Sequence, residues 1–534
     1  MASREQLTTE GQRSFWIAAE RTPGSVAVIE HDTGRRLTFA ELAAKANRLS
    51  RLYEASGAVP GESTVLAVLE NTIDFYPVYL AAMQNGMYFV PVSPKCTRQE
   101  LTWIIEDARP AVIVASGLGE DVVESVREAR TDTAVFTLEP GGDIPSLTEV
   151  LPAYDDDPLA APSSGSRLLY TGGTTGRPKG VRGALPVASI NAVAERGVSI
   201  WAPGLGMAAN QGPHLVCCPL YHGLALGMST IALNLGNTLV VMRRFSPEGF
   251  LAAVERHRVA STAMVPTMIS RLLEHAQSGY DVSSLRALLH GGSPCAPTVK
   301  WRALEWLGDI LYEFYGASEA MGTTITPEQW RQRPGSVGLP LRGADIKVVD
   351  PDTGARRPAG EIGEVLIRSA FGQMSFTGSA SVRSGFAQWP GYASAGDIGY
   401  LDDGGYLFLT DRVADIIVSG GVNVYSARVE AELLKHQGVT LAGVVGEPHP
   451  DWGEQVVAVV APAEGVVAAE LVEQLHELSR RDLSPAQQPK RIEVRDDLPL
   501  TKAGKVDKVR IRRELRERIG ATGLHHSAPS TTLD

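Results

Sequence analysis

Residues 170–181 read Tyr-Thr-Gly-Gly-Thr-Thr-Gly-Arg-Pro-Lys-Gly-Val, and the reading of this stretch decides the rest. Gly172, Gly173 and Gly176 let a backbone approach a ligand closely and turn through conformations other residues resist. Thr171, Thr174 and Thr175 add hydroxyl donors, and successive backbone N–H groups in such a turn form a nest for an anion. Lys179 adds a compact positive charge. These are the parts of a loop that holds phosphate oxygens. The commonest phosphate loop ends Gly-Lys-Ser/Thr, with hydroxyl and lysine side by side at a helix start. Here Lys179 is followed by Gly180 and the hydroxyls come first, so the wrapping differs. A glycine-rich surface turn is the plain alternative, but the fixed order of hydroxyls and lysine favours a polyphosphate.

The surrounding totals fit a multidomain globular chain. A length of 534 residues exceeds what one core organises and implies at least two domains. Apolar content of 44% and charged content of 21% are those of a globular protein. A net charge of −11 gives nucleic-acid binding no electrostatic support. The four cysteines, Cys96, Cys217, Cys218 and Cys295, form no CxxC pair or disulfide pattern, which predicts a reducing compartment. Cys217 and Cys218 sit in an apolar run and read as buried packing residues. The polar start carries no apolar signal region, and the apolar stretch 223–235 is broken by Ser229, Thr230 and Asn234. That stretch is too short to span a bilayer. The expectation is a cytoplasmic protein.

Upstream of the loop, strand-like and helix-like segments alternate: Val26–Glu30, a capping box at Thr38 and Glu41 opening a helix through Leu52, then Thr64–Leu69, Ile73–Gln84, Met87–Val92, Gln99–Asp107 and Ala111–Ala115. Such alternation argues for parallel α/β layers. The loop follows a short strand, Arg167–Thr171, and Leu185–Val198 has helical spacing. A second alternating series runs from Leu215 to Tyr315. Short glycine-punctuated β runs over 335–411 suggest a β subdomain or barrel. Alternation resumes after Arg412. The expected class is α/β: a large N-terminal domain of α/β layers plus a β subdomain over 1–412, and a small α+β C-terminal domain over 413–519. Residues 520–534 are small and polar and read as a disordered tail.

YTGGTTGRPKG resembles the signature loop of the adenylate-forming superfamily, which comprises acyl-CoA synthetases, peptide-synthetase adenylation domains and luciferases. The resemblance covers nearly the whole chain, because later motifs follow in order. Tyr315-Gly316-Ala317-Ser318-Glu319 is similar to the family's YGxTE motif, with Ser318 keeping the hydroxyl. By that resemblance Tyr315 lies along adenine, Ser318 meets the α-phosphate and Glu319 helps hold Mg²⁺. Alone, an aromatic residue at a strand end is ordinarily core. Gly291-Gly292 reads as a strand-end turn, which in the family lies against adenine. Asp397 in Ala-Gly-Asp resembles the (T/S)GD motif whose carboxylate takes the ribose hydroxyls, and Arg412 matches the arginine that also reaches ribose.

Pro499-Leu500-Thr501-Lys502-Ala503-Gly504-Lys505 resembles the closing motif P-x-T-x-x-G-K. This implies a catalytic Lys505, bridging the substrate carboxylate and the α-phosphate, and a surface Lys502. Gly420-Gly421 matches the segment lining the pantetheine tunnel once the mobile second domain rotates. Ala414 stands at the hinge position, usually Asp or Lys. His222 matches a position facing the acyl group, and is otherwise a satisfied core histidine. No aspartate stands there to pair with an amino group, which argues against an amino-acid substrate.

The resemblance implies an ATP-dependent, AMP-forming ligase that joins a bulky hydrophobic carboxylic acid (fatty, terpenoid or polycyclic) to CoA, using ATP and Mg²⁺. Two other activities stay open at this point. One is a variant that performs only thioester formation on an acyl-AMP made elsewhere; the other is a non-catalytic nucleotide- or acyl-CoA-binding regulator. Analogy with the family implies a homodimer.

Overall fold

The computed structural model describes residues 13–116, 120–129, 132–140, 144–171, 178–317, 320–377, 386–412, 415–419, 422–501 and 506–522. Two large sheets and one small one organise them. The first runs in the order Met374–Phe376, Lys179–Gly183, Ser166–Thr171, Tyr88–Val92, Thr64–Val68, Val112–Ala115 and Ala134–Thr137. Thr64–Val68 is buried at every position and pairs in parallel with both neighbours, as expected of a strand covered on both faces.

The second sheet begins at Arg36–Thr38 and Val26–Glu30 and passes through parallel strands Leu239–Val241, His214–Val216, Ser261–Met264, Ala287–His290 and Leu311–Gly316. It then continues antiparallel through Met321–Ile325, Ser336–Pro340, Leu407–Arg412 and Ala393–Leu401. Apart from Met374–Phe376, the described β strands over 335–411 are therefore an extension of this sheet, not a separate barrel. Ser336–Pro340 joins the two parts, pairing with Met321–Ile325 on one side and Leu407–Arg412 on the other.

Helices Phe75–Gln84 and Gly223–Asn234 are buried nearly all round. Helices of that composition belong in a protein interior. One core cluster joins them to Val65 and Ala67 of the first sheet and to Leu215 and Val240 of the second. Cys217 and Cys218 are buried in the same cluster.

The capping box at Thr38 forms as read: the Thr38 hydroxyl accepts from Glu41 N–H, and the Glu41 carboxylate accepts from Thr38 N–H. The helix placed at 185–198 instead runs Ile190–Trp201. Ser189 caps it, accepting from Ala192 N–H, and Pro186 stands upstream. A side-chain cap outweighed apolar spacing at that end.

Beyond Arg412 a five-stranded sheet carries its own core. Helices Ser426–Leu433 and Ala468–Asp482 contribute Val429, Leu433, Leu471 and Leu475 to one face. Helix Lys508–Thr522 contributes Ile511 and Leu515 to the other. That helix runs into the stretch read as a tail, as far as Thr522. No helix among the described residues is long and apolar enough to cross a membrane.

His214 is fully buried on the second sheet, its Nδ1 2.9 Å from Ser261 Oγ. Burial pushes its pKa down to about 3. The unfolded chain takes up a proton near pH 6.5, whereas the folded one does not until far lower, so stability falls as pH drops from 6.5 toward 3. Each such histidine contributes at most about 1.4 kcal/mol per pH unit in that window. We expect His214→Asn to flatten the fall of the thermal midpoint between pH 6.5 and 4. An unchanged slope would contradict this.

Candidate active site

The glycine-rich stretch Gly172 to Arg177 lies outside the described residues, but the strands on either side of it do not. Strands Ser166–Thr171 and Lys179–Gly183 pair antiparallel, with Thr171 opposite Lys179. A third strand, Met374–Phe376, pairs with the return strand, and Phe376 lies opposite Val181. Lys179 Nζ stands 5.9 Å over the Phe376 ring. Gly180 is needed for this layering, since an added Cβ would come 2.7 Å from Thr377 Oγ1. Tyr170 donates from its hydroxyl to Asp107 Oδ2 at 2.6 Å. Burial, then Asp107, raises its pKa. In the β extension, the Trp389 indole N–H donates to Gly354 O at 2.9 Å.

The second group of motif residues meets on the other sheet. Tyr315 donates from its hydroxyl to Asp397 Oδ2 at 2.6 Å, with both residues buried. Asp397 pairs across the sheet with Arg412. One hydrogen bond thus ties the YGxTE-like motif to the GD motif, and backbone pairing ties both to the arginine. Ser318 and Glu319 lie outside the described residues. On either side of them, Ala317 and Ala320 exchange reciprocal backbone bonds.

Gly291 ends the strand beside Tyr315's. A Cβ there would stand 2.6 Å from Phe314 O and 2.7 Å from the Phe314 ring. Phe314 in turn packs edge-on against Trp201. Gly292 has φ +79° with open space around it, a backbone that favours glycine.

Three buried polar residues behind this turn were missed by the sequence reading. His290 and Glu313 are paired across the parallel strands, and Lys300 reaches Glu313 Oε2 at 2.6 Å. Lys300 Nζ also lies 4.8 Å over the Trp330 ring. Burial pushes the Glu313 pKa up despite Lys300, and burial with Lys300 pushes the His290 pKa well down. A charged residue inside the otherwise apolar run Leu311 to Tyr315 was the available signal.

His222 occupies the N-cap position of helix Gly223–Asn234, its ring 4.5 Å from Tyr221's. Gly223 packs against the loop's own strand, where a Cβ would meet Leu169 at 3.0 Å. Tyr221 lines a cavity of about 580 Å³ together with Cys217, Val265, Met268 and, from the second domain, Leu441 and Leu500. Tyr315 and Asp397 do not line this cavity.

Lys505, Gly420, Gly421 and Ala414 lie outside the described residues. The segment carrying Lys505 is pinned at its base, where Leu500 bridges Val506 and Asp507 N–H donates to Pro499 O at 2.7 Å. Asp411, next to Arg412, accepts from Ser426 Oγ at 3.2 Å and Ala427 N–H at 3.1 Å, so the first domain's last strand caps the second domain's first helix.

We expect Gly291→Ala to lower the thermal midpoint more than Gly292→Ala, because its Cβ meets backbone. Gly292→Ala costs about 1 kcal/mol, from positive φ alone. Equal midpoints in scanning calorimetry would contradict this account.

Comparison with known proteins accords with this geometry. The AMP-binding enzyme family matches residues 15–375, and the AMP-binding enzyme C-terminal domain matches residues 428–505. A feruloyl-CoA synthase from Amycolatopsis sp is 31% identical over 519 residues, covering 95% of this chain and 99% of the relative. A 2-succinylbenzoate–CoA ligase from Bacillus pumilus is 30% identical over 497 residues, 92% and 95% of the two chains. Among solved structures, the amide bond synthetase McbA from Marinactinospora thermotolerans superposes with TM-score 0.80 at 29% identity, covering 94% of this chain and 99% of its own. The chain belongs to the AMP-binding enzyme family and is an adenylate-forming acyl-CoA synthetase.

Proposed function

We propose that the protein joins a bulky hydrophobic carboxylic acid to CoA, and that its nucleotide site is built on the Tyr315–Asp397 pair. The observation that carries this reading is the 2.6 Å bond between those residues, which brings motifs from distant parts of the chain to one place beside the Gly291–Gly292 turn. In this reading adenine lies between that turn and the Tyr315 ring. Asp397 and Arg412 take the ribose hydroxyls. The loop Thr171, Gly172, Gly173, Thr174, Thr175 and Gly176 wraps the phosphates with Lys179 and Ser318. A Mg²⁺ ion suits a carboxylate together with phosphate oxygens, so Glu319 would hold it, and it would offset phosphate charge.

The reaction has two parts. A carboxylate oxygen attacks the α-phosphorus of ATP, and pyrophosphate leaves. Lys505 lies over the negative charge that builds on the entering and bridging oxygens. The second domain then turns about the residues near Ala414. The CoA thiol, losing its proton, attacks the acyl carbonyl, and AMP departs. Holding both partners in one closed site supplies the proximity term and keeps water from the mixed anhydride. His222, Gly420 and Gly421 face the acyl group and the pantetheine arm.

The cavity beside Tyr221, about 580 Å³ with Val265, Met268 and Leu441 on one part of its wall and Glu70, Arg243 and Arg271 on another, has the room for a bulky acid. The names of relatives support such an acid: feruloyl-CoA synthase, 2-succinylbenzoate–CoA ligase and a fatty acid–[acyl-carrier-protein] ligase from Streptomyces coeruleorubidus.

The test incubates enzyme, Mg·ATP, CoA and a panel of aryl, polycyclic and long-chain acids, with mass spectrometry of the thioesters. We expect product with at least one bulky acid and none with acetate; turnover of short acids alone would sink the substrate class. Lys505→Ala should slow acid-dependent pyrophosphate exchange by about 10²-fold or more while leaving ATP binding within a fewfold. Unchanged exchange would remove Lys505 from catalysis.

A further inference from the structure

His290 is fully buried, and neither ring nitrogen has a hydrogen-bond partner. Leaving such a group unsatisfied is destabilising, so its place in the fold calls for a reason. Its Nε2 stands 3.8 Å from Glu313 Oε2, about 0.6 Å beyond the outer limit of a good N–H···O bond. The same oxygen already accepts from Lys300 Nζ at 2.6 Å. His290 immediately precedes the Gly291–Gly292 turn, and Glu313 lies two residues before Tyr315 on the same face of the neighbouring strand. On the opposite face the two strand ends are already in tight contact, Gly291 against Phe314. The spacing between turn and tyrosine is therefore fixed on one side by packing. On the other, the side chains of the last backbone-paired residues, His290 and Glu313, stand just short of a bond.

We propose that His290 is a positioning residue for the nucleotide base: filling the slot between Gly291–Gly292 and Tyr315 brings His290 Nε2–H onto Glu313 Oε2, and that bond sets the width at which the slot holds adenine. The inference rests on the placement of adenine proposed above. Only a ring or carboxylate rotation is required, and hydrogen bonds at such sites tighten on ligand binding. Lys300 keeps the acceptor in place. The neutral imidazole, held so by burial and Lys300, supplies one N–H donor without adding a charge.

The test is calorimetric titration of the full chain with Mg·ATP, for wild type, His290→Leu and His290→Gln, alongside their thermal midpoints. His290→Leu removes two unpaired nitrogens, so its nucleotide-free midpoint should equal or exceed that of wild type while its Kd for ATP rises about five- to tenfold. His290→Gln keeps an N–H donor and should recover most of the affinity. ATP bound as tightly by the leucine variant as by wild type would overturn the proposal, as would equal weakening in both variants. Should His290→Leu fail to fold, histidine-labelled wild type serves instead. A protected imidazole N–H resonance, missing in His290→Gln, should appear when Mg·ATP is added; its failure to appear overturns the proposal equally. Wild type that binds no ATP would sink the adenine placement itself, whereas normal binding with an indifferent His290 sinks this inference alone.

Discussion

The Tyr315 hydroxyl reaches Asp397 across the seam where the long sheet changes character, and the candidate site depends on that contact. Tyr315 ends the parallel α/β part, while Asp397 lies in the antiparallel extension. A buried phenol and a buried carboxylate are costly to hold without hydrogen bonds. Their bond satisfies both and fixes the extension against the sheet at one point. Arg412 enters through the same pairing, and the chain leaves for the second domain directly afterwards. Asp411, its neighbour, caps the helix that opens that domain. The strand that pairs with Asp397 and ends at Arg412 is thus also the strand from which the second domain departs. Any rotation of the small domain would start next to Arg412.

Behind the turn, a Lys–Glu pair and a neutral histidine occupy space that leucines could fill. Buried pairs of this kind contribute little net stability, because desolvation offsets their attraction. Their value lies in specifying one arrangement, and Lys300, Glu313 and His290 sit where strand spacing matters most. Phe314 and Gly291 supply the apolar counterpart. A residue with any Cβ at 291 would push the two strand ends apart.

Much of the fold was legible because its signals were local. The capping box at Thr38 and the strand Val26–Glu30 were read correctly from a few residues each. The helix after the loop was misplaced because Ser189, a cap by side chain, was passed over in favour of apolar spacing. The β-rich stretch was legible as β but not as an extension of the main sheet. That follows from pairing between Ser336–Pro340 and strands on both sides, a long-range fact that short glycine-bounded runs do not carry. In the candidate site, motif order placed Tyr315, Asp397 and Arg412 together, and the structure joins them. The buried cluster of His290, Lys300 and Glu313 escaped notice because its members are distributed over two strands and a helix. Only Glu313, a charge within an apolar strand, departs locally from expectation.

The central claim is that one nucleoside sits at this seam. A crystal structure with a non-hydrolysable acyl-adenylate analogue addresses it most directly. The account predicts adenine between Gly291–Gly292 and the Tyr315 ring, with both ribose hydroxyls on Asp397. Adenosine density elsewhere, with the Tyr315–Asp397 bond facing solvent or protein alone, would contradict it.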